Sequence, residues 1–165
     1  VKDSVDRIIA QWAEARPDVD VSPMAVLGRL SRLTRLFERE LQAVFSQYSL
    51  QPGEFDLLAT LRRADTDGYG LTAGELADSA MVTSGAITNR LDRLLAKELI
   101  TREADPRSRR TIRVALTQRG QEVVDAALQD HVANEERLLS IMTADQREQL
   151  EGLLRALLHD HENRG

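Results

Sequence analysis

Apolar residues along this chain recur mostly at three- and four-residue intervals, the period of a helix buried on one side. Val5, Ile8, Ile9 and Trp12 make one such face, followed by Ala13 and a stop near Pro17. The spacing predicts a helix of about four turns, too short to persist in water alone, so it must dock on something. Ser22-Pro23 opens a second helix, with a capping residue and then proline at the first helical position. Its stripe runs through Val26, Leu30, Leu33, Phe37, Leu41, Val44 and Tyr48, which predicts a helix reaching Tyr48. Arg29, Arg32, Arg35 and Arg39 lie among or opposite these positions. Gln51-Pro52-Gly53 breaks the chain and starts another helix, with Phe55, Leu58, Ala59 and Leu61 inside. A loop is predicted from Asp65 to Gly70. Thr72-x-x-Glu75 then reads as a capping box for a short helix through Leu76 and Ala77.

After a turn at Ala80-Met81-Val82, a helix is predicted from Thr83 to Lys97, with Ile87, Leu91, Leu94 and Leu95 on its buried face. Ser84, Thr88, Asn89 and Arg93 lie on the other face. The period then changes. Leu99 to Thr101 reads as a short strand, and Thr111 to Leu116 alternates like a second one. Between them Asp105 to Arg110, DPRSRR, reads as a turn with three arginines. Helix, strand, basic turn, strand is the order of a winged helix-turn-helix. The expected fold is therefore mainly α with a small β-wing, the head spanning residues 52–116.

Thr117 caps a long helix marked by Val123, Val124, Ala127, Leu128, Val132, Leu138 and Leu139. Thr143-x-x-Gln146 is a second capping box, and Leu150, Leu153, Leu154, Leu157 and Leu158 form the last stripe. Residues 1–48 and 117–165 carry more apolar surface than a small winged head needs. A homodimer with an isologous interface is the expected use, a monomeric bundle the alternative.

Charge sharpens this picture. The chain carries net −5, yet Thr83 to Leu116 holds eight Lys/Arg against four Asp/Glu. A basic island in an acidic chain is the footprint of one face that meets a polyanion. Ser84, Thr88 and Asn89 are candidates for base edges in the major groove, and Thr83 and Arg93 for phosphates or bases. Arg107 is the candidate for the minor groove. Arg109 and Arg110 would hold phosphates or brace the turn against Asp105. The expected partner is duplex DNA with imperfect two-fold symmetry. Arg90 leans toward the buried side and needs a partner, for which Asp56 is the candidate. Trp12, the only tryptophan, is either a packing anchor or a wall of a pocket.

Other chemistry is sparse. There are no cysteines, and His131, His159 and His161 are scattered, so they are expected to be solvated rather than metal ligands. No phosphate-binding glycine loop, nucleophile elbow or metalloprotease motif occurs, and neither an enzyme nor a cofactor is expected. No run approaches membrane-spanning length and no signal peptide is visible, so a cytoplasmic protein is expected. A DNA-binding architectural protein without a ligand, or a helical structural protein that does not bind DNA, are the rival readings.

DPRSRR fits D-x-R-x-x-R, the wing signature of MarR-type regulators, and its frame, SGAITNRLDRLLAKELITR and VALTQRG, also resembles that family. The resemblance runs from Ser22 to about Leu158. It implies a DNA-binding transcriptional regulator whose first and last helices interlock in a dimer. More narrowly, Trp12 on an extra N-terminal helix, VSPMAVLGRLSRL, QPGEFDLLATLRR, NRLDRL and HVANEERLL resemble the urate-responsive branch of the family. That resemblance implies a repressor released by a small anionic effector such as urate, with Trp12, Asp56, Arg90 and Arg102 as the ligand set. The arginines would pair with an anionic ring oxygen, the indole would donate or stack, and the carboxylate would meet a ring N–H.

Overall fold

The computed structural model describes residues 2–66, 68–79, 87–105 and 108–164, the side chain of Arg109 excepted. Among these run seven helices and a three-stranded antiparallel sheet, the mainly helical winged arrangement that the periodicity predicts. They fall into two compact units, Val1–Pro52 and Gly53–Gly165.

The first unit contains α1 (Ser4–Ala15) and α2 (Pro23–Ser46). Asp3 caps α1 through its carboxylate, which accepts from the backbone N–H of Val5 (2.7 Å) and Asp6 (3.1 Å). Asp6 returns the favour by accepting from Asp3 N–H at 2.8 Å. Arg29 of α2 then grips both carboxylates, Nε on Asp3 at 2.8 Å and Nη2 on Asp6 at 2.7 Å. Beneath this clamp Val5 is buried against Gly28, where an added Cβ would sit 3.3 Å from Val5 Cγ1. This is how the short α1 docks.

Two details of α2 differ from the sequence expectation. Ser22 makes no side-chain cap, because its own backbone is helical (φ −55°, ψ −35°). Its hydroxyl donates instead to Asp20 Oδ2 at 3.0 Å. The helix also stops at Ser46, short of Tyr48. Ser49 takes a positive φ of 56°, and Leu50 N–H closes back onto Phe45 O at 2.9 Å.

The second unit holds α3 (Pro52–Ala64, which begins at the boundary), β1 (Leu71–Thr72), α4 (Ala73–Ser79), α5 (Ile87–Ala96), β2 (Ile100–Asp105), β3 (Ser108–Leu116), α6 (Gln118–Leu138) and α7 (Ala144–Glu162). Leu57, Leu58, Leu61, Leu76, Leu91, Leu94, Leu99, Ile100 and Val114 are buried and make its core. Leu95, expected among them, is exposed. Both predicted capping boxes form. Thr72 and Glu75 exchange bonds of 2.7 and 3.2 Å, and Thr143 and Gln146 bonds of 2.9 and 3.3 Å.

The sheet runs in the order β1-β3-β2. Ile100 pairs with Leu116 and Ala104 with Ile112, and after a register shift Asp105 pairs with Ser108. The wing strands are therefore longer than expected, and Ser108 to Arg110 are strand rather than turn. In this outer part of the hairpin Glu103, Ala104, Ser108, Arg110 and Ile112 are exposed, so backbone pairing extends it without any apolar alternation to betray it. The two-residue β1 is likewise too short to show a period.

Just past the end of α5, Glu98 has a φ of +58° that lets Leu99 N–H return to Leu94 O at 3.1 Å. Leu99 O in turn accepts from Thr117 N–H at 3.1 Å, and Gly120 packs so closely that an added Cβ would lie 1.9 Å from that oxygen. Thr117 Oγ1 donates to Glu98 O (2.9 Å) and accepts from Gly120 N–H (2.9 Å), capping α6 as predicted.

Two tests follow from these contacts. Glu98→Gly should raise stability by about 1 kcal/mol, since a left-handed residue with a Cβ is strained. Its ion pair with Arg119 (3.5 Å) is exposed and worth little. Denaturant unfolding with an unshifted midpoint would show that the strain is absent. Second, backbone N–H groups and then Arg29 hold the Asp3 and Asp6 carboxyls below their usual 3.8. Their contribution to docking α1 is complete above that value and is lost as pH falls through the lowered ones. Acidification below about pH 4, or Arg29→Met at neutral pH, should therefore lower the fluorescence anisotropy of Trp12. An anisotropy insensitive to both would mean that the clamp does not hold α1.

Candidate nucleic-acid interface and anion site

The sequence sorts α5 into three stripes. Ile87, Leu91 and Leu94 are buried, which fixes the helix against the core. Thr88, Asn89 and Arg93 are exposed. Between these faces run Arg90, Arg93 and Lys97, which approach the first turn of α3. Thr83, Ser84 and Arg107 lie outside the described residues, as does the side chain of Arg109; Arg110 is exposed on β3.

Glu54 organises the approach of α5 to α3. It is 0% exposed, in the first turn of α3. Its Oε1 accepts from Arg93 Nε at 3.1 Å and its Oε2 from Lys97 Nζ at 2.7 Å. Arg93 is thus tied to a buried carboxylate by one edge while 49% of its side chain stays exposed. A negative charge in the first turn also suits the helix dipole. Sequence reasoning missed Glu54, although a signal was present. Glu54, Leu57, Leu58 and Leu61 share one helical face, so a carboxylate there had to be buried.

Arg90 is half-buried, and its guanidinium lies over Gly53. A Cβ at Gly53 would come within 2.5 Å of Arg90 Cζ, so glycine is what allows this approach. The expected Asp56–Arg90 ion pair is not formed among the described residues. Arg90 Nη1 and Asp56 Oδ2 are each buried without a hydrogen-bond partner there. The reason is positional: Arg90 settles on Gly53, a turn before Asp56. Arg102, on β2, donates to Asp92 of α5 at 2.7 Å. Trp12 belongs to the first unit and is 45% exposed.

At the outer end of β2, Asp105 is buried and accepts from Arg113 Nε at 2.7 Å. Arg113 Nη1 also donates to Gly70 O at 2.7 Å and lies 3.6 Å from Glu75. Among the described side chains it is Arg113, rather than Arg110, that braces Asp105. Gly70 has φ +78°, and a Cβ there would meet Val114 O at 2.5 Å. Arg113 thus joins both ends of the sheet to the start of α4. No sequence signal could have found it, because the partners come together only through strand pairing.

His131 departs from expectation. It is largely buried, its ring 5.3 Å from that of Phe55 and its Nε2 3.3 Å from Glu135. No group of three or more His, Asp or Glu among the described residues is placed to hold a metal ion, and no helix there is long and apolar enough to cross a membrane.

Known proteins share this arrangement. A model of the MarR family matches residues 50–112, from the approach to α3 into β3. The chain is 37% identical over 150 residues to the HTH-type transcriptional regulator PecS of Dickeya dadantii, covering 91% of this chain and 90% of that one. It is 28% identical over 151 residues to the HTH-type transcriptional repressor NicR of Pseudomonas putida, covering 89% and 93%. Among solved structures, a mutant MarR from E. coli complexed with operator DNA matches with a TM-score of 0.69 and 28% identity, over 89% of this chain and 97% of that one. Resemblance to a transcriptional regulator along nearly the whole chain, joined to the helices α3 to α5 and the three-stranded sheet described above, makes this protein a DNA-binding transcriptional regulator of the MarR family.

Proposed function

We propose that the protein acts as a homodimer on two-fold symmetric duplex DNA, as a repressor released by a small anion such as urate. The observation that carries the effector reading is the incomplete pairing beside the first turn of α3. A buried charged group without a partner costs free energy. A planar anion that offers an oxygen to Arg90 and an N–H to Asp56 supplies both missing partners. Arg102 and Trp12 join the proposed set through the resemblance alone. That the similar protein NicR is a transcriptional repressor supports that sign of regulation.

On the DNA side, the match to a MarR complexed with operator DNA supports duplex DNA as the partner, and α5, whose exposed face carries Thr88, Asn89 and Arg93, is proposed to enter the major groove. Ser84, Thr88 and Asn89 are proposed at base edges, with Thr83 and Arg93 on phosphates or bases. Arg107 is proposed in the minor groove, and Arg109 and Arg110 on phosphates, with Asp105 anchoring the wing. The dimer reading is supported by α7, which buries no residue and leaves Leu150, Leu153, Leu154, Leu157 and Leu158 exposed. Exposed apolar surface of this extent marks an interaction site.

Sedimentation should therefore give a species of twice the 18.5 kDa chain mass. Footprinting should give half-sites about 10 bp apart, or a multiple of that, and Asn89→Ala should relax base preference at particular positions. A protein that sediments only as monomer, or protects an asymmetric site, would sink the dimer reading.

Urate titrated into the protein–DNA complex should release the DNA. Gly53→Ala tests the site without removing any charge, because its methyl displaces the flexible tip of Arg90. It should raise the urate concentration needed by roughly 10-fold, the scale of one charge-assisted hydrogen bond, with thermal stability near that of the parent. Should Gly53→Ala and Arg90→Ala both respond like the parent, the anion site lies elsewhere. A parent that responds to neither urate nor related purine anions would favour the ligand-independent reading.

A further inference from the structure

We propose that Glu54 is a positioning residue for DNA recognition, holding Arg93 so that its two Nη groups are presented as a fixed fork beside Asn89. The proposal rests on the reading of α5 as the helix that meets DNA.

The helix dipole favours a negative charge in the first turn of α3, but the apolar packing of that face does not call for a buried carboxylate. Position 54 shares a buried face with Leu57, Leu58 and Leu61, and the Glu54 side chain is only 1% exposed. Burying a carboxylate is costly, and an apolar residue of similar volume commonly does as well or better for stability. What the carboxylate adds is direction. Lys97 occupies Oε2 and Arg93 Nε occupies Oε1, so both oxygens are engaged and the Glu54 rotamer is set. Arg93 makes its described bond through Nε alone. Its Nη1 and Nη2, the donor pair suited to bidentate contact with phosphate or guanine, have no hydrogen-bond partner among the described residues. Arg93 lies four residues after Asn89, hence on the same exposed face. A free arginine on a helix surface must lose rotamer entropy when it meets DNA. One held by its Nε edge has lost part of it already, which favours the site that matches its fixed position.

Orientation makes a different prediction from bulk charge. Replacing Glu54 by Gln keeps the shape but removes one negative charge and turns an N–H donor toward Arg93 or Lys97. Non-specific binding should then hold or tighten, while specific binding weakens. The test uses the duplex that the parent protein enriches from a random-sequence library, together with a scrambled duplex of the same composition. The readout is the ratio of the two affinities, to which a loss of folded protein contributes equally on both sides. Glu54→Gln should lower the ratio about 10-fold, the scale of one oriented base or phosphate contact. In an Arg93→Ala background the same change should leave the ratio where Arg93→Ala alone puts it.

An unchanged ratio in Glu54→Gln, or an equal fall in both backgrounds, overturns the proposal. If Glu54→Gln does not fold, Arg93→Lys decides. It keeps the charge and the partner carboxylate but lacks the Nη pair, so it should lower the ratio about as far, and a parental ratio overturns the proposal. A parent that enriches no duplex at all removes the DNA reading of α5 and this proposal with it. Enrichment by the parent with an unchanged ratio in the variants removes the proposal alone.

Discussion

The backbone of Leu99 is the constraint on which the geometry of the head depends. Its N–H closes the end of α5 onto Leu94 O, and its carbonyl accepts from Thr117 at the start of α6. Gly120 fits against that same carbonyl because it lacks a Cβ. One buried residue thus joins the helix proposed to read bases, the first strand of the wing and the long helix after the wing. Leaving either peptide group unpaired in a dry site would cost free energy. The relation between α5 and the root of the hairpin is therefore set by backbone hydrogen bonds, with side chains adjusting around it.

Charge is distributed by the same logic. The basic island of Thr83 to Leu116 is not a uniform cationic surface. Arg93 and Lys97 share Glu54, Arg102 is held by Asp92, and Arg113 by Asp105. Each pairing removes net field and adds direction. An acidic protein with a few oriented cations discriminates between DNA sites better than one with many loose ones, because bulk attraction to phosphate carries no sequence information. Arg90 stands apart from these pairings. It belongs to the same α5 stripe, but its guanidinium rests on Gly53, with Nη1 unpartnered among the described residues. A ligand that engages it acts directly on the helix that carries Asn89 and Arg93, and it can shift that helix only through different affinities for two arrangements.

By itself the sequence determined the helices, their caps and the order helix–strand–hairpin–helix, because 3.6-residue periodicity and capping boxes are local properties. Thr72, Thr117 and Thr143 cap as their neighbours predict. Ser22 is the exception, since its backbone is already helical and Asp20 takes its hydroxyl. The basic island was legible too, being a matter of counting charges. Pairing was not. Arg113 meets Asp105 and Gly70 only once β1, β2 and β3 align, and Arg90 meets Gly53 rather than Asp56 only once α5 docks on α3. The full length of the wing strands came from backbone hydrogen bonds that leave no apolar alternation behind. Local chemistry decided which elements form. Which charge holds which partner was decided by tertiary structure, because those choices depend on distances between segments far apart in the chain.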